Sequence, residues 1–328
     1  MKKSHIVEKL LGDLSRYTPS NKAVTAYAPT NIALVKYWGK RNQELNLPMT
    51  SSLSVSLTDK GATTTLSVSA IAQDVFVLNG KPVPTTSVFY QRLLCYLDLF
   101  RPFKTFYFNV DIVSTVPIAA GLASSACGFA AMALALDKFF SWQLSSQQLS
   151  MLARLGSGSA CRSIWPGFVE WHAGEREDGM DSYAEPLSVQ WPELCIGLMI
   201  VSDKEKTIGS REAMQRTIET SELYKSWPQK VAHDLVILKK AIQEKDFDLL
   251  GKTAESNALA MHATMLSAWP PVSYYLPETI SAMHRVWQAR AEGVPVYFTQ
   301  DAGPNLKLLF VDKDRARRYF PEIAVMQA

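Results

Sequence analysis

No charged side chain occurs between Asp111 and Asp137. A run this long has two homes, the hydrocarbon of a bilayer or the interior of a large folded protein, because an apolar helix of that size must be covered on every side. Pro117, Gly121, Ser124, Ser125 and Gly128 interrupt it, much of the rest is alanine, and both flanks are acidic where a spanning helix carries basic and aromatic anchors. The expectation is a protein interior and no membrane. Length agrees, since 328 residues are about twice the usual domain size, enough for two lobes. The net charge of +3 argues against a nucleic-acid-binding surface but permits a local basic pocket.

Periodicity places the run in context. Residues 106–114 alternate as a strand, 117–125 form a Gly/Ala/Ser loop, and a small-residue helix continues to about 140. A helix start leaves backbone N–H groups unpaired and carries about half a positive charge, so Pro117-Ile118-Ala119-Ala120-Gly121-Leu122-Ala123-Ser124-Ser125-Ala126 reads as a phosphate cradle. The Ser124 and Ser125 hydroxyls would face a phosphate oxygen or Mg²⁺; the competing reading is a simple N-cap on a tightly packed helix. Neither GxxxxGK[ST] nor GxGxxG occurs. Elsewhere we expect a short amphipathic helix on Ile6, Leu10, Leu11 and Leu14, strands at 23–28 and 53–57, a hairpin-like pair at 62–69 and 74–79, helices at 87–99 and 145–154, and a strand at 167–172. Pro186 and Pro192 mark a boundary at 186–193. Beyond it we expect a strand at 194–201, three helices across 210–265, a helix at 277–291, strands at 295–300 and 306–311, and a terminal helix. The class is α+β in two lobes, divided as 1–188 and 189–328, the second like a split βαβ sandwich.

Three further segments carry chemistry. Asn31-Ile32-Ala33-Leu34-Val35-Lys36-Tyr37-Trp38-Gly39-Lys40-Arg41 mixes two lysines and an arginine with aromatics, either a solvated strand edge or point charges for a polyphosphate. Gly156-Ser157-Gly158-Ser159-Ala160-Cys161-Arg162-Ser163 allows close backbone approach, and Arg162 suits a carboxylate or phosphate; a plain helix-ending loop competes. Asp301-Ala302-Gly303-Pro304-Asn305 ends a strand, where a carboxylate is turn chemistry or a general base for a hydroxyl. The five histidines form no HExxH, no GxSxG is present, and His262 reads as a packed helix residue. Cysteines 95, 127, 161 and 195 form no CxxC pair, which points to reduced thiols and a cytoplasmic protein.

Taken in order, these segments resemble the mevalonate diphosphate decarboxylases of the GHMP kinase superfamily. Pro-x-x-x-Gly-Leu-x-Ser-Ser-Ala is the superfamily phosphate loop. The decarboxylase pattern lies in Asn31-Ile32-Ala33 with Lys36 to Lys40, in 156–163 with Gly167-Phe168-Val169-Glu170-Trp171, and in 301–305. Leu47-Pro48, Ser51 to Ser54, Thr220-Ser221 and Met261-His262-Ala263 add weaker matches, so that the likeness spans about residues 22 to 310. It implies a GHMP kinase fold, with a ribosomal-protein-S5-like N-terminal lobe and a ferredoxin-like split βαβ C-terminal lobe. It also implies ATP- and Mg²⁺-dependent decarboxylation of mevalonate 5-diphosphate to isopentenyl diphosphate, by a homodimer. A phosphomevalonate decarboxylase or a mevalonate 3-kinase of the same fold is the alternative. By the same resemblance, Asp301 orients or deprotonates the 3-hydroxyl, Lys36 keeps Asp301 ionised, and Arg162 holds the substrate carboxylate. Asn31, Tyr37, Lys40, Ser157 and Ser159 line the rest of the substrate. Gly121, Leu122, Ala123, Ser124 and Ser125 face the nucleotide phosphates, Ser125 the metal, and Asn79 neighbours the nucleotide. Thr50, Ile118, Trp165-Pro166 and Gln300 depart from the expected pattern, and the N-terminal helix has no assigned role.

Overall fold

The computed structural model describes residues 2–115, 124–204 and 206–327. Helix α1 (Lys3–Leu11) buries Ile6, Val7 and Leu11 in the main core, and Lys9 Nζ on its other side meets Asp178 Oδ2 at 2.7 Å. Strand β1 (Val24–Val35) follows, then a small hairpin of β2 (Lys40–Asn42) and β3 (Leu47–Pro48), then β4 (Ser52–Val68), which returns antiparallel along β1. At 17 residues β4 joins two segments expected to be separate. The polar Thr58-Asp59-Lys60 resembles a turn in sequence; in the structure the register passes from Pro29 opposite Gly61 to Thr30 opposite Leu57, so those three residues bulge out of one continuous strand.

The chain continues through β5 (Val75–Leu78), β6 (Lys81–Pro82), α2 (Val88–Leu97), β7 (Phe108–Ser114), α3 (Ser124–Phe140), α4 (Ser146–Gly156), β8 (Gly167–Trp171) and β9 (Ala184–Pro186). The first sheet runs β6-β5-β7-β4-β8-β9, with β1 also on β4. Here β5 pairs parallel with β7 and antiparallel with β6, so the expected hairpin of 62–69 with 74–79 does not form. The charge-free run supplies α3, which packs against β1, β4 and α4; Ala126, Ala130, Ala131, Ala133 and Ala135 are fully buried. Small side chains let this helix lie close to the sheet. Among the described residues no helix is long and apolar enough to cross a membrane.

The second lobe is built from β10 (Cys195–Met199), α5 (Ser210–Thr220), α6 (Trp227–Glu244), α7 (Phe247–Leu266), α8 (Pro277–Ala291), β11 (Tyr297–Gln300), β12 (Leu306–Phe310), α9 (Lys313–Tyr319) and β13 (Ala324–Gln327). Its antiparallel sheet has the order β11-β12-β10-β13. The edge strand β13 has only four residues, too few to show alternation. Asp246 caps α7 by accepting from Leu249 N, and α7 packs on α6, on β11 and across to β1. It therefore carries buried polar groups, Asn257 and His262 among them, from the second lobe to the first.

If α1 is a structural brace, Leu11→Ala will lower stability by about 2–5 kcal/mol, the range for deleting a buried leucine. Activity per folded molecule should be retained. Chemical denaturation measures this, and an unchanged midpoint would mean that α1 is not part of the core.

Candidate active site

Beyond β1 the chain enters a cleft of about 620 Å³, faced from the second lobe by the β11–β12 turn. Lys36 Nζ lies 2.7 Å from Asp301 Oδ1 and donates to Ala33 O at 2.8 Å, while Lys307 Nζ lies 3.1 Å from Asp301 Oδ2. Both lysines are 1% exposed. Burial alone would raise the Asp301 pKa, but Lys307 and Lys36 outweigh it and hold the carboxyl well below the usual range. Burial pulls the Lys36 ammonium down to about 8 against the opposing attraction of Asp301. Asp301 is thus a permanent anion and a weak base, suited to orienting a hydroxyl.

The turn holding Asp301 is braced on several sides. Asn305 Oδ1 accepts from Val201 and Ser202 N, and its Nδ2 donates to Ser202 O, fixing the turn to the end of β10. Gln300 Nε2 donates to Gly303 O at 2.8 Å. His262 is packed, as expected: stacked on Tyr275, it donates from Nε2 to Asp301 O at 3.2 Å. Burial pushes its pKa down to about 3, so the ring stays neutral.

Arg162 rises from a 3₁₀ helix, Gly158–Ile164, where a loop was expected. Its guanidinium donates to Ser54 Oγ at 3.1 Å, Ser52 Oγ at 2.5 Å and Asn31 Oδ1 at 3.3 Å, and lies over the Trp171 ring. No carboxylate among the described residues lies within ion-pair distance, although the side chain is 2% exposed. A buried cation held only by neutral groups calls for an anion. Asn31 Nδ2 also donates to Ser163 Oγ and Ser159 O, coupling β1 to this helix. Tyr37 is half-buried, and its buried hydroxyl has no hydrogen-bond partner among the described residues. Gly158 makes room for that ring, because a Cβ there would sit 2.9 Å from Tyr37 Cε1 and its hydroxyl oxygen. Ser157 and Ser159 line the same wall, with Ser157 Oγ 3.4 Å from Ser125 Oγ.

At another part of the cleft wall, Lys40 Nζ donates to Asn46 Oδ1 at 2.7 Å. Burial, reinforced by Arg211, Lys3 and Arg92, pulls its pKa down to about 8. The lining includes Lys36, Lys40, Arg92, Arg162, Lys204, Lys206 and Arg211 against one carboxylate among the described residues, Asp301. Arg92 and Arg211 lie on α2 and α5, where a lone cation has no local signal separating it from a solvated helix face. Lys307 had one: it interrupts Leu306-Lys307-Leu308-Leu309-Phe310 at a fully buried strand position. Arg41 was expected in the cleft. It instead donates to the Ala173, Gly174 and Arg176 carbonyls, because neighbouring side chains on β2 point to opposite faces.

Of the remaining candidate residues, Gly121, Leu122 and Ala123 lie outside the described residues, and Ser124 opens α3. Asn79 sits at the β5–β6 turn with φ 51°, its Oδ1 accepting from Ser114 N, and does not line this cleft.

A polycationic cleft with one lysine-held aspartate and one buried, anion-seeking arginine belongs to an enzyme acting on a small polyanion, with phosphoryl transfer as the natural chemistry. Similarity to known proteins is specific. The Diphosphomevalonate decarboxylase-like N-terminal domain matches residues 28–184, and the Mevalonate 5-diphosphate decarboxylase C-terminal domain matches 196–324. Diphosphomevalonate decarboxylase mvd1 of Aspergillus fumigatus is 41% identical over 313 residues, covering 88% of this chain and 77% of that protein. The crystal structure of mevalonate diphosphate decarboxylase from Staphylococcus aureus has a TM-score of 0.87 and 38% identity, covering 93% of this chain and 95% of that one. That from Enterococcus faecalis has a TM-score of 0.84 and 40% identity, covering 93% and 96%. The chain belongs to the diphosphomevalonate decarboxylase family and has its GHMP kinase fold.

The low pKa of Lys40 makes anion binding pH-dependent. An alkyl diphosphate, itself largely ionised near pH 7, should bind about tenfold more weakly at about pH 9 than at about pH 7, because one ammonium must be re-protonated. Calorimetric titration measures this, and Lys40→Gln should flatten the dependence. A slope that persists in Lys40→Gln would assign it to another group.

Proposed function

We propose that the protein phosphorylates the 3-hydroxyl of mevalonate 5-diphosphate with ATP and eliminates phosphate and CO₂ to give isopentenyl diphosphate and ADP. The observation that carries this reading is the shared cleft of an ionised Asp301, held by Lys36 and Lys307, and an Arg162 with no carboxylate counter-ion among the described residues. Asp301 aligns the hydroxyl for in-line transfer. Arg162 receives the substrate carboxylate and holds it in place of water until it leaves as CO₂. Tyr37, Lys40, Ser157 and Ser159 line the substrate, with Asn31 setting the Arg162 side chain, and the Lys40, Arg92 and Arg211 group suits a diphosphate better than a single phosphate.

ATP and Mg²⁺ are the donor pair; a related structure, MDDEF, was solved in complex with MVAPP, AMPPCP and magnesium. Ser125 provides a hard hydroxyl oxygen in the cleft, which fits a Mg²⁺ ion taking most of its ligands from phosphates and water. When bound, that ion offsets charge on the phosphates. Gly121, Leu122, Ala123 and Ser124 complete the nucleotide side, and Asn79 belongs to its periphery.

The division at 188/189 is supported by the family matches, which end at 184 and resume at 196, and by the two separate sheets. A cytoplasmic location agrees with four cysteines that form no disulfide among the described residues. A homodimer agrees with the exposed Leu223, Leu266 and Trp269; light scattering that gives a monomeric mass would remove that assignment.

Purified protein supplied with ATP, Mg²⁺ and mevalonate 5-diphosphate should release ADP and isopentenyl diphosphate together. ADP without the alkene would make it a 3-kinase, and preference for the monophosphate would make it a phosphomevalonate decarboxylase. Asp301→Asn should reduce kcat by about 10²-fold or more with little change in KM, the scale for losing alignment and charge at the reacting centre. Near-normal turnover would remove Asp301 from the mechanism. Arg162→Ala should also lose turnover; a change in thermal stability alone would return that segment to a structural role.

A further inference from the structure

The backbone of Lys36 is held from the other lobe. Lys36 follows the last residue of β1, beyond the register shift at Ala33/Val35, and its N–H donates to Asn257 Oδ1 on α7 at 2.8 Å. Asn257 is fully buried, and its Nδ2 donates to Asp234 Oδ2 on α6 at 2.8 Å. An N–H on one side and a carboxylate on the other fix the orientation of the amide. Asp234, 2% exposed, receives Lys230 Nζ on both oxygens at 2.6 Å and has His233 Nδ1 at 3.5 Å.

We infer that Asp234 and Asn257 are positioning residues for the reaction: they form a buried relay from Lys230 to the Lys36 backbone that sets where Lys36 Nζ, and through it the Asp301 carboxylate, stands. The inference rests on the role proposed above for Lys36 and Asp301. Its physical basis is leverage. Lys36 Nζ is divided between Ala33 O and Asp301 Oδ1, so a displacement of its backbone moves the contact that locates the aspartate. Misplacement by about 1 Å at a reacting centre is enough to lower turnover by about 10²-fold. Neither Asp234 nor Asn257 lines the cleft, so a loss caused through them should appear in kcat and leave substrate binding nearly unchanged.

The relay depends on polarity as well as shape, which gives a test. Asn257→Asp sets two carboxylates against each other and breaks the Asp234 contact. In Asp234→Asn/Asn257→Asp the hydrogen bonds re-form with donor and acceptor exchanged: the new carboxylate accepts from both Lys36 N–H and the new amide, which still accepts from Lys230. With ATP, Mg²⁺ and mevalonate 5-diphosphate, Asn257→Asp should lose about tenfold or more in kcat, with both KM values within about threefold of wild type. The double variant should recover most of that loss. Thermal unfolding identifies folded samples.

A folded Asn257→Asp with kcat within about twofold of wild type overturns the proposal. So does a folded double variant no faster than Asn257→Asp. If Asn257→Asp does not fold, the double variant is compared with wild type, and a folded double variant slower than wild type by about tenfold or more overturns the proposal equally. Absence of turnover in the wild type would instead count against the decarboxylase reading itself.

Discussion

One cluster, Lys36–Asp301–Lys307, joins the two lobes, with both lysines buried and the aspartate open to the cleft, and the rest of the site is organised around it. Lys36 comes from the end of β1, whereas Asp301 and Lys307 come from the turn and strand of the second sheet. Removing the two lysine charges from water costs several kcal/mol per ion before the attraction of Asp301 is counted. Such a cluster is poor evidence of stability and strong evidence of a site. Close by lies a further buried cation, Arg162, with no carboxylate within ion-pair distance among the described residues. Polyanionic ligands that bind the native state will stabilise it by mass action.

Much of this is legible in sequence. The uncharged stretch, with its Pro, Gly and Ser interruptions and acidic flanks, points to a central helix in a protein interior. Asn31, Lys36, Tyr37, Lys40, Ser157, Ser159, Arg162 and Asp301 lie in segments that each admit a structural reading alone and are marked together by the family resemblance, and the structure brings them to one cleft. What cannot be read depends on separation in sequence. Lys36 and Asn257 are 221 positions apart, and no local pattern links a strand end to an amide in the middle of a helix. Arg92 and Arg211 are hidden for another reason: a cation on a helix looks the same facing solvent or substrate. The β4 bulge reverses a third reading, since Asp59-Lys60-Gly61 is good turn chemistry that a long strand can also absorb.

The modest global charge also acquires a physical explanation. A net charge of +3 is compatible with a strongly cationic cleft because the seven lining cations and Asp301 together carry +6, which leaves 27 basic against 30 acidic residues, a net −3, over the rest of the chain. Focusing of this kind raises the local concentration of an anionic substrate without giving the whole surface an indiscriminate attraction for polyanions.

The strongly depressed Asp301 pKa limits the type of catalysis the site performs. A carboxylate so stabilised by two lysines has little affinity for a proton, so basicity contributes little to the barrier reduction. Positioning and electrostatic stabilisation have to supply the remainder, which suits phosphoryl transfer, where charge spreads over oxygens and little proton removal is needed early. The same logic accounts for the extent of the bracing. His262 on the Asp301 carbonyl, Gln300 on the Gly303 carbonyl, Asn305 on the end of β10 and Asn257 on the Lys36 backbone each remove freedom from a group that works by location. A catalyst relying on a strong base could tolerate looseness at these points; one relying on an aligned weak base cannot.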